Sequence, residues 1–295
     1  MPSSQGHVVA DDGARLFFQR AGRGDPVLLV LNGFYLFEDF SYLAESRTVI
    51  GLDLRNRGRS ELLVDAARLS RGVQQDADDI EAVRRHFAIE GMDILAHSYA
   101  GSIPILYALR HPSRVRRIIQ LGPMPPDPTT QYPAHLRNQD DALQEFVAGL
   151  AELRERRQDL SPVDYCREFW ALLRPIYVFD RTDAAKIQHW EGCDLATERG
   201  FMRYWTEYLL PSIERLVFTE EEVTPVTTPV LVIHGTKDRS SAYGGGRDWA
   251  LRLPNARLLT VEDAAHAPWV EAPGEVLGPV RRFLDGEWPA ALPRP

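Results

Sequence analysis

Between residues 26 and 121 short apolar runs alternate with segments of helical periodicity, and this alternation restricts the fold more than any other feature of the chain. PVLLVL (26–31), TVIGLDL (48–54), MDILAH (92–97) and VRRIIQLG (115–122) read as strands. Between them Ala77, Ile80, Val83 and Phe87 fall on one face at helical spacing, so the pattern predicts an amphipathic helix over 75–89. A second helix is expected after Ser98, from Tyr99 to the residue before Pro112, with Pro104 placed to delete a backbone hydrogen bond and kink it. Strand and helix in this order are the signature of parallel βαβ units. HVVA and RLFFQR, joined through DDG, read as an antiparallel hairpin leading into the sheet. The alternation resumes with PVLVIHG (229–235), a helix around RDWALRL, RLLTVED (257–263), and a last helix carrying Val276, Val280, Phe283 and Leu284. The expected class is α/β, with a mostly parallel central sheet flanked by helices.

Five prolines between 123 and 133 rule out regular helix or a central strand there and mark a boundary. Beyond it Leu143, Phe146, Val147, Leu150 and Leu153 form one helical stripe. Residues 123–224 are therefore expected as an inserted helical cap, with 1–122 and 225–295 forming the core. That insertion holds 13 of the 28 aromatic residues. Most suit the cap's own packing, and some suit the wall of a ligand pocket.

Charge and cysteine content narrow the function classes. A net charge of −8 gives no electrostatic footprint for nucleic acid, and RVRR (114–117) and RERR (154–157) read as solvated faces. No apolar run approaches the roughly 18 residues of a membrane span, and the first residues lack a secretory pattern. Cys166 and Cys193 are too few for a thiolate metal site. They are expected as reduced packing residues of a cytoplasmic protein, a single disulfide between them being the alternative.

Chemistry concentrates at MDILAHSYAGS (92–102), where a strand passes abruptly into a helix at Ser98. Such a turn exposes the hydroxyl at the sheet's C-terminal edge and demands small neighbours, a demand that Ala96, Ala100 and Gly101 meet. A serine hydroxyl needs a base to take its proton, and the base needs a carboxylate to hold its tautomer. Ala96-His97-Ser98-Tyr99-Ala100-Gly101 resembles the G-x-S-x-G nucleophile elbow of the α/β-hydrolase fold family, with alanine in place of both flanking glycines. The resemblance covers nearly the whole chain apart from the helical insertion, which stands where that family carries its variable cap.

The family's chain order of serine, acid and histidine implies the triad Ser98, Asp238 and His266. Asp238 follows a strand in VLVIHGTKDRSS, and His266 lies in VEDAAHAPWVEAP, whose Pro268, Glu271 and Pro273 resemble the family's histidine loop. Asp127 is the alternative acid, and Asp263 reads as a surface or loop residue. The resemblance further implies oxyanion donors at the backbone N–H groups of Tyr99 and Phe34, although Asn32-Gly33 stands where the family usually shows His-Gly. DLRNRGRS (53–60) resembles the family's D-x-R-G-x-G-x-S loop, with Gly58 allowing the turn and Asp53 expected to pair with Arg55 or Arg57. Tyr35, Trp170, Trp205 and Trp269 are the candidate pocket residues.

The resulting expectation is a serine hydrolase that needs neither metal nor cofactor and cleaves a small ester, thioester, lactone or amide through an acyl-enzyme. It has neither nucleic-acid nor membrane partner, and its oligomeric state is not legible. An aminopeptidase resembling proline iminopeptidase is the alternative, for which Glu191, Glu198 and Glu207 are available although surface positions suit them better. A lyase or carbon-carbon bond-cleaving enzyme, or a ligand receptor on the same fold, are the readings from other classes.

Overall fold

The computed structural model describes residues 3–289. Eight strands form one sheet: β1 (Ser3–Val9), β2 (Arg15–Ala21), β3 (Val27–Leu31), β4 (Thr48–Leu52), β5 (Met92–His97), β6 (Val115–Leu121), β7 (Val230–Gly235) and β8 (Ala256–Val261). Their order is β1-β2-β4-β3-β5-β6-β7-β8. The β1/β2 hairpin and the β2/β4 pair are antiparallel, and every other pairing is parallel. Leu29 of β3 lies opposite Ile50 of β4 on one side and Ile94 of β5 on the other.

Because side chains alternate along a strand, each central strand feeds two cores. Val27, Leu29 and Leu31 of β3 pack with Ile94 and Ala96 of β5 and Val232 of β7 on one face. Leu28, Val30, Leu95, Leu231 and Ile233 pack on the other. Continuous apolar runs are what such doubly covered strands require, and this is why they are legible in the sequence. The chain leaves β3 for β4 on one side and reaches β5 on the other, so a crevice opens beyond the C-terminal ends of β3 and β5. Asn32 and Ser98 are the first residues past those ends.

The helix expected over 75–89 spans Val73–His86. Pro104 introduces no interior kink, because Ser98–Ser102 is a 3₁₀ turn and the α-helix begins at Ile103. The missing N–H therefore falls in a first turn, where it has no helical acceptor to lose. Between β6 and β7 the chain is helical, with Asp141–Glu155, Pro162–Tyr177 and Arg181–Trp190 as its longest segments. The cysteines depart from the reduced state expected of them: Cys166 and Cys193 form a disulfide with Cα atoms 5.8 Å apart. Sequence spacing carries no information on that approach, since Cys193 is returned to its partner by the turn after Trp190. No described helix is long and apolar enough to cross a membrane.

Candidate active site

Ser98 sits in the left-handed region at φ 59° directly after β5. A side chain held there costs roughly 1 to 3 kcal/mol and persists only when its surroundings enforce it. Here the fully buried methyls of Ala96 and Ala100 pack into the core below the turn. A Cβ on Gly101 would approach that of Pro123 to 2.9 Å. The alanines thus fill space beneath the elbow, and neither of them lines the cavity above it.

Asp238 follows β7 in a turn that surrounds its carboxylate with donors. Oδ1 accepts the N–H groups of Ser240 and Ser241, both at 2.8 Å, and Oδ2 accepts from His266 Nδ1 at 2.8 Å and His234 Nε2 at 3.1 Å. Burial alone would raise this carboxyl, but the two histidines hold it well below the usual carboxylate range. An ionised carboxylate only accepts, so His266 carries its proton on Nδ1 and leaves the Nε2 lone pair free. That Nε2 is buried and has no hydrogen-bond partner, the Ser98 hydroxyl included. Asp127, the other acid considered, instead closes its own turn by accepting from Thr129.

Three contacts fix the His266 loop. Its carbonyl accepts from His97 Nε2 at 3.0 Å, while His97 Nδ1 accepts from the Tyr35 hydroxyl at 2.9 Å. Glu271 accepts the N–H of Ala265 at 2.7 Å and that of Phe179 at 2.6 Å, tying the loop to the helical segment between β6 and β7. The N–H of Ala267 donates to the Tyr177 carbonyl at 3.1 Å. Gly122, at φ 46° beyond β6, lies against the same pair: a Cβ there would stand 3.1 Å from His266 Nδ1 and 3.3 Å from Asp238 Oδ2.

A cavity of about 340 Å³ opens over Ser98. Of the expected pocket residues Tyr35, Trp170 and Trp205 line it, and Trp269 does not. Trp269 lies behind the wall, stacked on Trp190 at 5.5 Å and donating its indole N–H to Asp39 at 2.8 Å. Trp190, Tyr177, Phe169 and Phe201 take part in the wall and stood out by no sequence pattern. Phe34 and Tyr99 occupy first turns, Gly33–Phe40 and Ser98–Ser102, where an N–H has no acceptor within its own helix.

The arginines of residues 53–60 pair differently from expectation. Asp53 faces Arg59, accepting its N–H at 2.8 Å with the guanidinium at 3.5 Å. Arg55 joins Asp79 at 2.8 Å and Asp12 at 2.7 Å. Arg57 pairs with Glu198, which is buried and not the surface residue it was expected to be. Alternate residues of this loop point to different elements, so the nearest acid in sequence is not the nearest in space. Among the described residues no group of three or more His, Cys, Asp or Glu side chains is arranged to hold a metal ion.

The pattern of the family described as alpha/beta hydrolase fold matches residues 26–273. The chain belongs to the α/β-hydrolase fold family. Its relatives include the AB hydrolase superfamily protein YisY of Bacillus subtilis, 23% identical over 94% of this chain and 98% of that one. A bifunctional esterase/perhydrolase of Acinetobacter calcoaceticus is 23% identical, covering 90% and 95% of the two chains. A proline iminopeptidase of Heyndrickxia coagulans is also 23% identical, covering 92% and 96%. Among solved structures, a serine hydrolase from a Cycloclasticus bacterium superposes with a TM-score of 0.73 at 17% identity, covering 97% of this chain and 99% of its own. With this family and these relatives, the protein is a hydrolase.

Proposed function

We propose that the protein is a serine hydrolase that cleaves a carboxylic ester, or a related thioester, lactone or amide, through an acyl-enzyme on Ser98. The observation that carries this reading is the His266 ring, bonded to Asp238 at 2.8 Å through Nδ1 and left with a bare, buried Nε2, in a chain whose Ser98 lines the adjoining cavity. Ser98 Oγ attacks the carbonyl carbon as its proton passes to His266 Nε2, and the carbonyl oxygen becomes an oxyanion held by the N–H groups of Phe34 and Tyr99. Collapse returns the proton to the leaving group and leaves the acyl chain on Ser98. Water, deprotonated by the same nitrogen, then releases the acid. Asp238 stays ionised throughout and supports the imidazolium that forms at each step.

The aminopeptidase reading lacks a free carboxylate at the positions considered for it. Glu191 pairs with Arg174 and Glu207 with Arg203, each at 2.9 Å, Glu198 is held by Arg57, and none of the three lines the cavity. The test is labelling by a fluorophosphonate with mass mapping of the adduct. Modification is expected on Ser98 in the wild type and absent in Ser98→Ala; an unmodified Ser98 in folded, unlabelled wild-type protein overturns the reading.

A further inference from the structure

Two cations and no carboxylate line the cavity over Ser98. Arg57 is buried in its wall, and Arg154 stands at its exposed rim with no acidic partner among the described residues. We infer that the cavity takes an acyl group bearing a carboxylate, and that Arg57 is the residue that selects it. This rests on the reading of Ser98 as the nucleophile, since it concerns the substrate of that same site.

The inference follows from an account of donors. A guanidinium carries five N–H groups. In Arg57, Nε donates to Glu198 Oε1 at 3.0 Å, Nη2 to Glu198 Oε2 at 3.1 Å, and Nη1 to the Tyr99 hydroxyl at 3.0 Å. One N–H on each terminal nitrogen remains, without an acceptor among the described residues. Glu198 is turned the other way: its Oε1 also accepts the N–H of Gly58 at 2.7 Å, and it has no place in the cavity wall. The ion pair therefore presents its cationic half to the cavity and keeps its anionic half behind.

The guanidinium is also held still. Its Cζ lies 3.7 Å over the Phe201 ring and 5.0 Å from the Phe34 ring, so the two rings limit its rotation. Glu198 and the neighbouring phenols keep Arg57 protonated against the effect of burial. Two fixed charged donors in a largely apolar recess need an oxygen acceptor, supplied by water or by ligand. A carboxylate meets both with charge-assisted bonds that a methyl-terminated chain cannot make. Arg154 at the rim adds attraction for an anion arriving from solvent.

The experiment compares kcat/KM for monomethyl succinate, adipate and suberate with methyl butyrate, hexanoate and octanoate, in wild type and Arg57→Gln. In the wild type at least one acid ester is expected to exceed its neutral counterpart about tenfold, and Arg57→Gln is expected to lower that ratio ~10- to 100-fold. Because the substitution leaves Glu198 buried without a cation, Arg57→Gln with Glu198→Gln is measured beside it and is expected to show the same fall. Quenching of cavity tryptophan fluorescence by adipate and by neutral dimethyl adipate reports binding without turnover. Neutral esters preferred at every length, or a ratio unchanged by both variants, overturns the inference while leaving the serine reading intact. Absence of turnover and of phosphonate labelling overturns the serine reading; adipate binding that depends on Arg57 then still supports the anion site, and its absence overturns that too.

Discussion

His97 donates its Nε2–H to the main-chain carbonyl of His266 at 3.0 Å and accepts the Tyr35 hydroxyl on Nδ1 at 2.9 Å. The residue before Ser98 thus holds the backbone of the residue proposed to deprotonate Ser98. The two rings stand 4.4 Å apart, and neither is exposed. His97→Phe keeps the ring packing and removes both hydrogen bonds. Since a shift of about 1 Å in a reacting group costs about 10²-fold, kcat for a fast ester substrate should fall ~10- to 100-fold with little change in KM. An unaltered kcat would show that the His266 loop is held without His97.

Burial holds the His97 imidazole well below its ordinary value of 6.5. The native ring stays neutral where the unfolded chain takes up a proton, so the unfolded state binds more protons below about pH 6.5. Stability from this residue is complete above that pH and is lost as pH falls, by at most about 1.4 kcal/mol per unit. Urea unfolding from pH 7.5 to 5.5 should therefore show a shallower decline in His97→Gln than in the wild type. Parallel declines would mean that His97 takes up its proton in the native state.

How far the site was legible follows from where each residue lies. Ser98 and Asp238 occupy the turns closing apolar strand runs, and His266 lies in the loop beyond the next run, so motif and family resemblance pointed to these positions, and the fold brings Asp238 and His266 to 2.8 Å. Arg57 was not assignable, because its partner Glu198 lies 141 residues away in the helical segment between β6 and β7. Trp190 and Trp269 look alike as sequence, yet one forms cavity wall and the other backs it, a distinction made only by their stacking. The Glu271 clamp fell within the quoted histidine loop, but its acceptor role toward Phe179 depends on how that helical segment folds back.

Asp238 accepts four hydrogen bonds, two from backbone and two from histidines. Asp238→Asn keeps the shape but supplies an amide N–H on one side. If that N–H faces His266, the ring must accept on Nδ1, and its proton moves to the nitrogen that should act as base. Ester turnover should drop about 10³- to 10⁴-fold, with the fold preserved by circular dichroism. A loss of less than tenfold would remove Asp238 from the proposed triad.

Gly122 combines a positive φ of 46° with direct contact to the Asp238–His266 pair. Gly122→Ala places a methyl group 3.1 Å from the histidine nitrogen and 3.3 Å from the carboxylate, so both must give way by a few tenths of an ångström, and it adds roughly 1 to 2 kcal/mol of left-handed backbone strain. A fall in kcat larger than the fall in stability at assay temperature is expected, measured by esterase assay and thermal unfolding on one preparation. Equal activity in the variant would mean that the pair has room to retreat.

The Cys166–Cys193 disulfide closes a sequence separation of 27 residues and anchors the segment that runs from Trp190 to Glu198. Cross-linking a loop of this length restricts the unfolded chain by about 3 to 4 kcal/mol. Such bonds persist in oxidising surroundings and are uncommon in a reducing cytosol. Dithiothreitol, or the pair Cys166→Ala and Cys193→Ala, should lower the unfolding midpoint. It should also slow turnover by loosening the Trp190 wall and the Glu198 contact with Arg57. Labelling with iodoacetamide before and after reduction gives the check on the bond itself: two thiols modified only after reduction is the expected result, and ready modification without reductant would show that the cysteines are unpaired.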